Sequence, residues 1–218
     1  GTGDDRLSGG AGSDMLRGQG SFFDGGDGVD TVEFTDASGL RVDLNVQVAQ
    51  NTGAATKTVK NVENLVGGAL RDVFIGSAVA NVFRGNGGDD ELSGGGGDDE
   101  LLGGDGDDLL AGGLGNDMID GGDGMDVADF RDAESGVTSV LGSSGSFDDG
   151  RGGLDRLVNV ESLMGGGFGD RFTGTNGFNR LQGFGGDDVL NGRNGDDVLE
   201  GGSGDDQIIG GVGADRID

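Results

Sequence analysis

Gly103-Gly104-Asp105-Gly106-Asp107-Asp108-Leu109-Leu110-Ala111 is one unit of a nine-residue repeat. Its first six residues are turn-formers, since glycine accepts positive φ and aspartate caps its own backbone. Its last three suit a strand, and only the middle one is dependably apolar. Moving outward by nines, the leading glycine returns at Gly67, Gly76, Gly85, Gly94, Gly103, Gly112 and Gly121. A second run holds the same phase from Gly165 through Gly174, Gly183, Gly192, Gly201 and Gly210. Position six carries Asp72, Asn81, Asp90, Asp99, Asp108, Asp117 and Asp126, then Asp170, Asn179, Asp188, Asp197, Asp206 and Asp215. Position eight is apolar from Phe74 to Ile119 and from Phe172 to Ile217, lapsing at Ala128. A period this strict describes an array.

One turn and one short strand cannot bury anything alone, but stacked copies can. Two nonapeptides, each a turn plus a three-residue strand, are expected to close one coil of about 18 residues, with successive coils pairing as parallel strands about 4.8 Å apart. The predicted fold is all-β: a parallel β-roll or β-helix solenoid with a thin apolar core between two sheets. The chain has no proline to remove a ladder donor.

This geometry stacks position-six carboxylates 18 residues apart. Asp90 falls on Asp108, Asp99 on Asp117, Asp108 on Asp126, Asp188 on Asp206, and Asp197 on Asp215. Two such carboxylates about 5 Å apart repel by roughly 3 kcal/mol at an effective dielectric near 20. A divalent cation between them reverses the sign, and turn carbonyls can complete its shell. An all-oxygen, irregular cage suits Ca²⁺ better than Mg²⁺ or Zn²⁺. Composition agrees: 41 acids against 14 bases give a formal charge of −27, which predicts disorder when no counter-ion is present.

The Gly-Gly-x-Gly-x-Asp-x-apolar-x pattern resembles the RTX (repeats-in-toxin) nonapeptide, the hemolysin-type calcium-binding repeat. That resemblance implies a calcium-binding β-roll. It also implies a secreted or cell-surface protein of a Gram-negative bacterium, exported unfolded by type I secretion. Extracellular calcium modules work at dissociation constants near 10⁻⁴–10⁻³ M, so folding is expected only after export.

The repeats are not all alike. Position four must turn sharply and is Gly88, Gly97, Gly106, Gly115 and Gly124 in the first run, and Gly186, Gly195, Gly204 and Gly213 in the second. It becomes Leu70, Val79 and Phe168 where each run begins, and Asn81 and Asn179 replace the acid there. Those early repeats are expected to stack with weak calcium or none. Near the N-terminus, Gly9–Arg17 and Gly25–Glu33 fit the pattern around a shortened piece, Gly18–Asp24, that has Phe23 in the apolar slot and no loop acid. If that piece makes half a coil, Asp14 lies near Asp30 and shares a cation with it. The metal ligands expected are thus Asp14, Asp30, Asp90, Asp99, Asp108, Asp117, Asp126, Asp188, Asp197, Asp206 and Asp215, together with the position-four glycine turns. About six or more ions follow, and six would move the charge from −27 to about −15.

A longer period is also present. Gly25–Asp30 followed by Phe34 matches Gly121–Asp126 followed by Phe130, and Asn61-Val62-Glu63-Asn64-Leu65 matches Asn159-Val160-Glu161-Ser162-Leu163. We read 1–24 as the tail of a preceding module, 25–120 as one module and 121–218 as a second. Residue 218 closes a nonapeptide in frame, so the natural chain is expected to continue. Inserts at about 35–60 and 131–157 interrupt the frame. The first alternates apolar residues from Leu40 through Val42, Leu44, Val46 and Val48, a strand signal. The second offers Val137, Val140 and Leu141 before a Gly/Ser stretch. Glu63 and Glu161 fall on position six, so each insert is expected to re-enter the roll as an enlarged, calcium-free coil.

Other chemistries lack their residues. With no His, Cys or Tyr, and Lys57 and Lys60 as the lysines, no nucleophilic triad can be assembled. No phosphate loop or EF-hand loop occurs, so no enzyme is expected. No basic patch exists for nucleic acid, and no apolar run is long enough to span a membrane. The expected role is a calcium-folded spacer. The alternative is a carbohydrate-binding, adhesive or surface-layer module, such as the R-modules of alginate epimerases. An exterior strip of arginine or aromatic residues, of which Arg171 and Arg180 are a hint, would favour it.

Overall fold

The computed structural model describes residues 5–35, 39–53 and 55–218. Residues 1–4 of the expected N-terminal tail, and 36–38 and 54 of the first insert, lie outside the described residues. Among the described residues there is no helix. The chain is a solenoid of ~12 turns, each about 18 residues long.

Register follows directly from the repeat. Val82, Phe83 and Arg84 lie opposite Glu100, Leu101 and Leu102, in parallel, and Glu91 and Leu92 lie opposite Leu109 and Leu110. Successive strands alternate between two walls. A nine-stranded sheet runs from Arg41–Asp43 to Arg216–Ile217, and an eight-stranded sheet opposes its first half. Four-stranded sheets beginning at Arg6–Ala11 and Thr138–Val140 complete the two walls. Because strand side chains alternate in direction, each strand sends one apolar residue inward. Leu92, Leu101, Leu110, Ile119, Leu181, Leu190 and Leu199 are buried this way.

The strands are longer than the three residues expected. Leu109–Leu114 and Glu100–Asp105 each have six, running through the glycine pair of the next repeat. Gly95 pairs with Gly113 in the ladder, so the glycines at positions one and two belong to the strand. The turn is confined to positions four to six. Three-residue strands such as Asn64–Val66, Val73–Ile75 and Arg171–Thr173 persist where the following repeat departs from the pattern.

Both inserts have the same construction. Arg41–Asp43 starts a new sheet, and then the hairpin of Gln50–Asn51 and Thr56–Lys60 ends an old one by pairing with Phe22–Asp27. Likewise Thr138–Val140 starts a sheet, and the hairpin of Phe147–Asp148 and Leu154–Val158 caps Met118–Asp123. The first insert leaves from and returns to the eight-stranded sheet, and the second leaves from and returns to the nine-stranded one. Their hairpins therefore sit on opposite walls. Alternation was expected to carry a strand to Val48, but the strand stops at Asp43. Leu40, Val42 and Leu44 are buried, while Val48 is exposed. A turn intervenes, where the Asp43 carboxylate accepts from the Asn45 backbone and the Gln47 amide donates to the Leu44 carbonyl. Aromatic packing fills the wider coils: Phe34 lies against Phe23 and Phe74 at 5.5 and 6.4 Å, and Phe130 against Phe147 at 5.6 Å.

Candidate metal centre

Each turn brings position six inside the roll, between its own coil and the next. The Asp90 N–H donates to Oδ1 of Asp108 at 2.7 Å, that of Asp99 to Asp117 at 2.8 Å, and that of Asp108 to Asp126 at 2.9 Å. In the second run Asp188 donates to Asp206 at 2.9 Å and Asp197 to Asp215 at 3.1 Å. Across the shortened coil, Asp14 donates to Asp30 at 2.8 Å, and that coil's register is 16 residues. Asp206 and Asp215 are half-buried. The stacking is thus held by a backbone donor reaching each carboxylate, and this donor partly offsets the repulsion between neighbours.

The second oxygen of these side chains is a different matter. Oδ2 of Asp14, Asp30, Asp90, Asp99, Asp108, Asp117, Asp126, Asp188 and Asp197 is buried without a hydrogen-bond partner. Burying an ionised oxygen unpaired is strongly unfavourable. Accordingly, desolvation pushes Asp90, Asp99 and Asp126 up to about 7, and Asp108 and Asp188 up to about 6. Backbone donors oppose the shift, and neighbouring acids such as Asp108 beside Asp90 add to it. The expected mutual repulsion is therefore real but second to burial.

Glycine is needed around this oxygen for two reasons. A side chain on Gly85 would meet Oδ2 of Asp90 and the Gly103 carbonyl, so position one must stay empty to admit them. Gly106 has φ 130°, which strains any residue with a Cβ. The other position-four glycines, Gly88, Gly97, Gly115, Gly124, Gly186, Gly195, Gly204 and Gly213, also have positive φ.

The early repeats of each run are built differently. Oδ2 of Asp72 accepts from the Gly68 N–H at 2.8 Å, and Oδ2 of Asp170 accepts from the Gly166 N–H at 2.9 Å. Asn81 and Asn179 accept at Oδ1 from the Ser77 and Thr175 backbones. Their amides donate to the Glu63 and Glu161 carbonyls at 2.6 and 3.0 Å. Position four is Leu70, Val79 or Phe168 in three of these repeats, and Gly177 in the fourth lacks the positive φ of the regular turns, so local backbone donors reach the side chain and no oxygen is left over. Glu63 and Glu161 take rungs of the ladder, accepting from the Asp30 and Asp126 N–H groups at 2.8 and 3.1 Å.

Two sets of residues escaped the sequence reading. Asp155, in the second insert, accepts from the Asp117 N–H at 2.9 Å, across a gap of 38 residues that hides it from the nine-residue frame. Position five forms an outer ladder in which the Asp89, Asp98 and Asp107 carboxylates accept from the next coil at 3.1, 2.9 and 2.9 Å. The repeated Asp-Asp pair was the visible signal for it. The outer ladder runs opposite to the inner one, because here the earlier coil accepts.

Among the described residues no three acidic side chains converge on one point. A cation here would draw most of its ligands from turn carbonyls and take the unpartnered Oδ2 atoms as its anionic share. A hard, oxygen-seeking dication fits that donor set. A family model described as the RTX calcium-binding nonapeptide repeat (4 copies) matches residues 1–21, 66–101, 93–128, 164–199 and 192–218. No curated protein matches the chain.

Proposed function

Since the chain belongs to the RTX calcium-binding nonapeptide repeat family, we propose that it is a calcium-dependent folding module, a rod-like spacer of a protein that works outside the cell. The supporting observation is the column of buried, unpartnered Oδ2 atoms, found in regular repeats whose position-four glycine has positive φ and missing where the side chain satisfies itself. In this reading Asp14, Asp30, Asp90, Asp99, Asp108, Asp117, Asp126, Asp188, Asp197, Asp206 and Asp215 hold the ions, with carbonyls of the position-four turns. The repeats that begin at Gly67, Gly76, Gly165 and Gly174 stack without metal. Bound calcium supplies positive charge to desolvated carboxylates, and since each site exists only once two coils have stacked, binding and folding are one event. Export through type I secretion from a Gram-negative cell suits a chain with no cysteine that stays unfolded at cytosolic calcium. The units 25–120 and 121–218 would be two copies of one module. Among the described residues no helix is long and apolar enough to cross a membrane.

Circular dichroism tests the reading. At pH 8 in excess chelator the spectrum should be coil-like, and calcium should restore β signal cooperatively in the 10⁻⁴–10⁻³ M range. A full β spectrum in chelator rejects coupled folding.

The alternative glycan-binding role draws on Phe168, Phe178 and Phe184, which are exposed and offer stacking faces. The arginine hint is weaker, because Arg180 is engaged by Glu200 at 3.1 Å. Retention on immobilised alginate in calcium would favour this role, and no retention leaves the spacer.

A further inference from the structure

We propose that the second insert completes a calcium site of its own, with Asp155 and Asp117 as its anionic ligands, where no nonapeptide in phase with the runs supplies the second acid. This rests on the calcium-folding reading above and extends it to a coil that the repeat pattern leaves out.

The placement comes from register. Met118 lies opposite Arg156 and Ile119 opposite Leu157, which sets Asp155 above Asp117 as Asp117 stands above Asp99. Oδ1 of Asp155 accepts from the Asp117 N–H at 2.9 Å. The side chain is fully buried, and its Oδ2 has no hydrogen-bond partner. Oδ2 of Asp117, on the coil below, is also buried and unpartnered. Turn oxygen is at hand, because the Gly115 carbonyl fills the space a side chain at Gly153 would occupy. Buried Asp149 spends its Oδ1 on the Arg151 and Gly153 N–H groups at 3.0 and 3.2 Å. It shapes the loop and adds negative charge beside the pair.

The other insert shows what this position demands. Phe22 lies opposite Thr58 as Met118 lies opposite Arg156, so Lys57 is the counterpart of Asp155 and Ser21 that of Asp117. Lys57 is buried, and its Nζ donates to the carbonyls of Gly20 at 3.0 Å and Gln19 at 3.4 Å. In that coil the turn carbonyls receive an ammonium carried by the chain. In the coil of Asp155 the same place holds two acids, and the positive charge must come from solution.

Equilibrium dialysis against millimolar calcium at pH 7.5, with calcium counted per chain, is the test. Asp155→Asn keeps the acceptor for the Asp117 N–H and should bind one calcium fewer than the wild type. An undiminished count in a calcium-binding chain overturns this proposal alone and marks Asp155 as a protonated buried acid. A wild-type chain that binds no calcium defeats the family-based reading together with it. Should the variant fail to fold, wild-type crystals grown in calcium decide the matter. An ion within about 2.3–2.6 Å of Asp155 Oδ2 supports the site, and ions at Asp108 with none at Asp155 overturn it.

Discussion

At the scale of single residues, the difference between Asp108 and Asp72 is what their second oxygen touches. Asp108 leaves Oδ2 unpartnered, whereas Asp72 accepts from Leu40 at Oδ1 and from Gly68 at Oδ2. Asp108→Ala should therefore move the calcium midpoint of folding to higher concentration. Asp72→Ala should leave the midpoint nearly in place and lower the stability of the calcium-loaded roll by about 1–3 kcal/mol, the cost of orphaning buried donors. Calcium titrations of both variants, with urea melts in saturating calcium, check this, and equal midpoints contradict it. The distinction was half legible beforehand. Leu70, Val79 and Phe168 flagged repeats that could not make the glycine turn, but that backbone donors would then reach Asp72 and Asp170 depends on three-dimensional shape. Asp155 was missed because its unit, Gly153-Leu154-Asp155-Arg156-Leu157, stands out of phase with both runs and its partner lies 38 residues away.

At the scale of elements, the regular strands and the re-entry of each insert at Glu63 and Glu161 were readable, and the insert hairpins were not. A Gly-Gly pair reads as turn by propensity, and here it extends the ladder, since inter-coil hydrogen bonding outweighs glycine's backbone entropy. The insert hairpins have two-residue strands, Gln50–Asn51 and Phe147–Asp148, too short to carry a periodic signal, and they pair antiparallel within an otherwise parallel array. Lys57 tests what such a hairpin contributes. Lys57→Met removes the ammonium from the Gly20 carbonyl and should destabilise the N-terminal coils by about 1–3 kcal/mol. Because its charge is built in, the loss should be the same at low and at saturating calcium, as read by hydrogen exchange of Phe22–Asp27 and Thr56–Lys60. A loss that calcium fully repairs would show that this seam depends on metal.

At the scale of the whole molecule, the raised acids link folding to protons. In the unfolded chain Asp90, Asp99 and Asp126 ionise near the ordinary 3.8, and in the metal-free roll at about 7. Between those values the folded state holds more protons, so the stability of the metal-free roll falls as pH rises from about 4 to 7. Acid also lowers the net charge. In chelator, β signal should be stronger at pH 5 than at pH 8, and the calcium midpoint should rise as pH drops below 7 and protons compete for the same oxygens. The reverse trend in either titration contradicts the assignment of a buried acid ladder. The stacking direction carries a mechanical consequence. Hydrogen bonds between coils lie along the rod, so tension applied to the chain ends strains them in series and the rod yields one turn at a time. Each regular turn of about 18 residues pays out about 60 Å of chain. Under such a load the chain would lengthen in evenly spaced steps, with a longer step at each hairpin.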